Sequence, residues 1–89
     1  MPVVIVPTAY RGPTQGLSEI QVNAPDVGSA LLAVDALHPG FGALLFDDSG
    51  AVHRFVKLFI NQEPVDVGAL DKPLGAEDRL EVLAAIAGG

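Results

Sequence analysis

Only one stretch of this 89-residue chain has the period of an amphipathic helix several turns long, and that limits what the chain can fold into. Val27, Ala30, Leu31, Val34 and Leu37 recur at steps of three and four, which sets them on one stripe. Asp26 stands in front of the stripe, where its carboxylate can accept an amide hydrogen of the first turn. His38-Pro39-Gly40 stops it, because proline cannot continue the hydrogen-bond ladder and glycine takes a left-handed exit. Ser29 and Asp35 fall on the other face. A single helix covers one face of a sheet and leaves the other to solvent or a partner.

Around that helix the chain reads as strands and turns. Val3-Val4-Ile5-Val6 is β-branched throughout and lacks alternation, which predicts a strand in the middle of a sheet. Pro7 and Arg11-Gly12-Pro13-Thr14-Gln15-Gly16 supply turn chemistry, and Leu17 to Val22 follows as an antiparallel partner strand. Phe41 to Phe46 reads as an irregular or one-turn helical packing segment, and Asp47-Asp48-Ser49-Gly50 as a turn. Arg54 to Ile60 alternates, with Val56, Leu58 and Ile60 on one face and Phe55, Lys57 and Phe59 on the other. Asn61-Gln62-Glu63-Pro64 is expected to turn the chain into a short edge strand at Val65-Asp66-Val67. Leu70 to Leu74 then bridges, Gly75-Ala76-Glu77-Asp78 turns, and Arg79 to Leu83 forms the last strand.

Composition closes off several classes of function. No cysteine is present, so disulfides, thiolate metal sites and cysteine nucleophiles go together. Five basic residues against 11 acidic ones leave a net charge of -6, and the basic ones do not gather into a nucleic-acid-binding face. The longest unbroken apolar run, Val82 to Ala87, is far short of the roughly 20 residues that span a bilayer. The opening residues are apolar at once and lack a basic leader, so the expected location is cytoplasmic, with neither nucleic acid nor membrane as partner.

No catalytic constellation emerges. His38 and His53 lack spaced carboxylate partners for a metal site. Asp47-Asp48 and Glu77-Asp78 lie in turns, which select aspartate for backbone bonding. Ser18, Ser29 and Ser49 lack a nucleophile context, and Gly40-Phe41-Gly42 has neither the lysine nor the spacing of a phosphate loop.

What stands out is the far end, Ala84-Ala85-Ile86-Ala87-Gly88-Gly89. At average glycine usage a terminal pair arises by chance in roughly 0.5% of chains. The glycines follow a buried strand with mostly small residues between, giving a thin arm able to enter a narrow channel. The candidate reactive group is therefore the carboxylate of Gly89, with Gly88, Ala87 and Ile86 gripped by a partner. The competing reading is an unselected frayed tail.

A strand–strand–helix–strand–strand chain ending in Leu80-Glu81-Val82-Leu83-Ala84-Ala85-Ile86-Ala87-Gly88-Gly89 resembles the ubiquitin-like sulfur carrier proteins. These include the molybdopterin synthase small subunit, the thiamine-pathway carrier and the cysteine-synthesis carrier. The segment from Val52 to Val65 is similar to the strand–turn–strand of the molybdopterin and cysteine branches. Ala84-Ala85 stands where molybdopterin subunits often carry prolines, which leaves the cysteine branch as the nearest likeness.

The resemblance implies an α+β, ubiquitin-like β-grasp fold: a mixed four- to five-stranded sheet with one main helix packed on one face. It implies a domain over residues 1–85 and a flexible tail over 86–89. It further implies that an adenylating enzyme resembling the ubiquitin activators uses ATP to activate Gly89. A sulfur donor protein then converts Gly89 to a thiocarboxylate, and a sulfur-accepting synthase takes the sulfur, with cysteine as the expected product. The carrier itself is then a co-substrate, not an enzyme, and binds no cofactor or metal. The alternatives are the small subunit of molybdopterin synthase and a ubiquitin-like protein modifier. Phe55, Phe59 and Leu83 point away from the core by their alternation, and are the candidate docking patch for these partners; the competing reading folds Phe41–Phe46 or the long loops over them as a second small core.

Overall fold

Val4 and Leu80 lie side by side in parallel strands at the middle of the sheet, in a computed structural model that describes residues 1–84. Strand β1 (Val3–Ile5) pairs in parallel with β5 (Arg79–Ala84) and antiparallel with β2 (Glu19–Gln21). On the far side of β5, β3 (Val56–Ile60) pairs antiparallel, and β4 (Glu63–Val65) closes that edge. The order is β2-β1-β5-β3-β4. A parallel pair needs a crossover, and here it carries β2, helix α1 (Val27–Leu37), helix α2 (Phe41–Leu45) and the β3–β4 hairpin.

The core lies between the helices and one face of the sheet. Val4, Ile20, Val56, Leu58, Leu80 and Val82 are buried from the sheet side. Val27, Ala30, Leu31 and Val34 meet them from α1, and Phe41 and Leu45 from α2. Leu37 departs from the expected stripe. It ends α1 at 60% exposure, and Phe41, four residues on, is fully buried in its stead. Gly40, at φ +106°, makes the left-handed turn between the two helices. Asp35 faces that turn and not open water: its Oδ1 accepts the Gly42 amide at 2.8 Å and the Gly40 amide at 3.3 Å.

The start of α1 is satisfied by two segments at once. Asp26 Oδ1 accepts the Ser29 amide at 2.7 Å, as its position before the stripe predicts. The Val27 and Gly28 amides donate to the Lys72 and Leu70 carbonyls at 3.0 and 2.7 Å. The loop from Leu70 to Leu74 thus supplies acceptors that the helix lacks in its own first turn.

Several boundaries differ from the sequence expectation. Arg54 and Phe55 belong to a turn, closed by the Val56 amide donating to the His53 carbonyl at 3.0 Å, and the strand begins at Val56. The β3–β4 turn is only Asn61-Gln62, both at positive φ (51° and 72°), so pairing resumes at Glu63 and not at Val65. That two-residue geometry matches the twist of the flanking strands. Pro64 therefore lies inside the edge strand, where its missing N–H is tolerated. The β1–β2 connection is not merely polar: a 3-10 turn over Thr8–Tyr10 buries Tyr10, and the buried Thr14 hydroxyl donates to the Leu17 carbonyl at 2.9 Å. Gly89, Gly88, Ala87 and Ile86 lie outside the described residues, as does the expected boundary between domain and tail.

Candidate functional site

The antiparallel register of β3 and β5 decides which outward side chains meet. Leu83 stands opposite Lys57, and Phe59 opposite Glu81, so Phe59 and Leu83 are diagonal neighbours on the face away from the helices. Leu83 is 37% exposed and Phe59 half-buried. Phe55 is not part of that strand row. It stands in the turn just before Val56, 42% exposed, with its ring stacked on His53 at a centroid distance of 4.7 Å. Val56 pairs with Ala84, so the stacked rings lie at the end of the sheet where β5 runs out toward residue 85.

The structure thus joins Phe59 and Leu83 and sets Phe55 at the rim of the same end. Helix α2 does not fold over them, because Phe41, Gly42 and Leu45 are buried on the helix side of the sheet. The face carries both charges. Lys57 and Glu81 flank the Phe59–Leu83 pair, and Arg54 is exposed beside Phe55. Farther along the strands Arg79 Nη2 meets Glu19 Oε2 at 3.1 Å. In a chain of net charge -6, two of the five basic residues sit near the Ala84 end of β5. Sequence reasoning weighed His53 only as a metal ligand and set Lys57 on the outward face, and included neither in the docking patch. The His53-x-Phe55 spacing, which places the rings two residues apart, was the available signal.

One aspartate of each acidic pair serves the fold. Asp47 Oδ1 accepts the Ser49 hydroxyl, its amide at 2.9 Å and the Ala51 amide at 3.1 Å, with the Ser49 bonds holding its carboxyl below the usual range. Asp78 accepts the Gly75 amide at 2.7 Å and the Asn61 side-chain amide at 2.9 Å, and its carboxyl is likewise lowered, first by Gly75. Among the described residues no group of three or more His, Cys, Asp or Glu side chains could hold a metal ion. Tyr10 is the one buried side chain among the described residues whose polar atom lacks a partner, and burial raises its phenol. No helix among them is long and apolar enough to cross a membrane. What the site offers is a contact surface beside a strand end.

Known proteins extend this picture. The chain is 32% identical over 89 residues to the sulfur carrier protein CysO of Mycobacterium tuberculosis, covering 97% of this chain and 96% of that one. It belongs to the CysO family of sulfur carrier proteins. CysO of Mycobacterium bovis matches to the same extent. Among solved structures, the Amycolatopsis orientalis BexX/CysO complex aligns at TM-score 0.89 and 30% identity over 100% of both chains. The crystal structure of Mycobacterium tuberculosis CysO aligns at TM-score 0.87 and 28% identity, covering 97% of this chain and 100% of that one. SAMP1 of Haloferax volcanii, at TM-score 0.80 and 22% identity over 99% and 98% of the chains, shares the fold. No protein-family model matches the chain. The architecture is the ubiquitin-like β-grasp of the CysO structures: five strands in a mixed sheet with one main helix.

Proposed function

We propose that this sulfur carrier holds its cargo as a thiocarboxylate on Gly89 and delivers it for cysteine synthesis. The observation that carries the reading is the near full-length kinship with CysO. A carboxylate is a poor electrophile. An activating enzyme would let the Gly89 carboxylate attack the α-phosphorus of ATP, releasing pyrophosphate and leaving an acyl-adenylate. A sulfur donor then displaces AMP, and the terminus becomes a thiocarboxylate whose soft, ionised sulfur stays tied to the protein. The carrier supplies no catalyst and acts as a co-substrate. With no thiol of its own, it cannot divert that sulfur into an internal disulfide.

In this reading Phe59, Leu83 and Phe55 dock the partner enzymes, while Gly88, Ala87 and Ile86 thread toward the active site. The complex that CysO of Amycolatopsis orientalis forms with BexX supports a protein as the kind of partner. Arg54 and Lys57 beside the apolar groups suit a partner surface with carboxylates at the matching rim.

Intact mass spectrometry of the protein from its native host tests the proposal. An increase equal to replacing one oxygen by sulfur, absent after deletion of Gly89, is expected. A ladder of conjugates to other proteins would replace it with a modifier, and co-purification with a large molybdopterin-synthesising subunit would move it to that branch.

A further inference from the structure

A second surface lies on the opposite side of the molecule from the open sheet face. Gly28, Leu32, Phe46, Gly50 and Leu70 line a shallow groove of about 340 Å³, with a lining that is almost wholly apolar. Leu32 projects from α1 at 61% exposure, on the side turned away from the sheet. The floor is tight at Gly28, where the helix touches the next segment so closely that a Cβ would sit 3.1 Å from the Leu70 carbonyl oxygen.

The segments that line the groove are mainly acidic. Within two residues of the lining positions in sequence stand Asp26, Asp47, Asp48 and Asp71, against Lys72 alone, and Asp47, Asp48 and Asp71 are exposed. Asp26 and Asp47 are held ionised by their amide and hydroxyl donors, chiefly those of Ser29 and Ser49. Among the described residues the single ion pair is Arg79 with Glu19, and of these four carboxylates only Asp47 has a basic group near enough to act on it, the His53 ring. The groove walls are a helix and two loops. No strand edge is open there to take an extended peptide through its backbone, so an occupant must be read by its side chains.

We propose that this groove docks an amphipathic, basic helix of a partner protein, with apolar side chains against Leu32, Phe46 and Leu70 and its lysines or arginines over the aspartates. Because the groove and the Phe59–Leu83 face lie on opposite sides of the domain, both can be occupied at once. The inference does not depend on the chemistry proposed for Gly89.

The probe is a synthetic helical peptide with leucines at i, i+3, i+4 and i+7 and lysines elsewhere, titrated into the isotope-labelled full chain and followed by NMR. Amide shifts should concentrate at Leu32, Phe46, Gly50 and Leu70. Leu32→Lys should weaken binding about tenfold, as expected for loss of a central apolar contact. Asp48→Lys with Asp71→Lys should weaken it too, and added salt should do the same. Leu83→Gln, on the far face and without a new charge opposite Lys57, should leave it unchanged. Leu32 is exposed, so its variants fold, and Leu32→Ala with an unchanged melting curve provides the second check. Shifts on the sheet face, or equal binding of a peptide with glutamates for lysines, overturn the proposal. So does a dimer that Leu32→Lys dissolves, which makes the occupant a second copy. Markedly tighter binding after removal of residues 85–89 overturns it as well, by making the chain's own end the occupant.

Discussion

Asn61 fastens the β3–β4 turn to the start of β5: its Nδ2 donates to Asp78 Oδ1 at 2.9 Å, and its Oδ1 accepts the Arg79 amide at 3.0 Å. The same residue sits at φ +51°, a conformation asparagine tolerates better than most side chains do. Asn61→Ala loses both bonds and keeps the left-handed strain, and should cost about 1–2 kcal/mol. Asn61→Gly relieves the strain and should cost less. Denaturant titration of the two variants checks the order; equal losses would mean the backbone angle contributes nothing.

Gly28→Ala should run against helix propensity. Replacing a helical glycine by alanine ordinarily stabilises by about 0.5–1 kcal/mol. Here the added carbon would meet the Leu70 carbonyl oxygen at 3.1 Å and the Leu70 Cβ at 3.2 Å, where the Gly28 amide also donates to that carbonyl. Separating helix and loop should give a net loss of about 1 kcal/mol, read as a lower melting temperature.

Phe41 and Leu37 should exchange the roles that helical period assigns them. Phe41→Ala empties a fully buried site and should cost about 3–5 kcal/mol. Leu37→Ala trims an exposed side chain and should stay within about 0.5 kcal/mol. Chemical denaturation of both variants decides it.

Acid should weaken the fold through three turn and cap aspartates. Asp26, Asp47 and Asp78 are all lowered from the ordinary value of 3.8 by the groups they accept from. Below that value the unfolded chain binds protons that the folded one resists. Their contribution is therefore whole above it and is lost as pH falls through the lowered folded values. The melting temperature should hold level down to about pH 5 and then drop. Asp26→Asn keeps a capping oxygen without the titration, and its curve should fall less steeply.

Leu83→Glu should separate docking from stability better than Phe59→Glu. Position 83 faces Lys57, so the new carboxylate gains an opposite charge, whereas at position 59 it would face Glu81. Like charges directly across a strand pair destabilise by up to about 1 kcal/mol. Under the proposed function both variants should impair sulfur loading by an activating enzyme, and only Phe59→Glu should also lower the melting temperature. Full loading of Leu83→Glu would remove that residue from the docking surface.

The helix from Val27 to Leu37 with its Asp26 cap, the alternation of Val56, Leu58 and Ile60, and the turn at Asp47 were legible because each signal lies within a few neighbouring residues. Leu37, Phe55 and Pro64 were misplaced for a common reason: their burial or pairing depends on how the neighbouring segments pack and turn. Phe41 supplies the core in place of Leu37, the His53 carbonyl turns Phe55 out of β3, and the tight Asn61-Gln62 turn draws Pro64 into β4.

By itself the amino-acid order determined an α+β domain with one main helix, a sheet face turned away from it and outward apolar groups at Phe59 and Leu83, since local period and side-chain shape suffice for that. Only the tertiary structure decided that Phe59 and Leu83 become neighbours, that His53 stacks on Phe55, and that Leu32, Phe46 and Leu70 converge behind the helix. Those meetings are set by strand register and loop packing, which arise from the collapse of the whole chain and leave no periodic trace in any one segment.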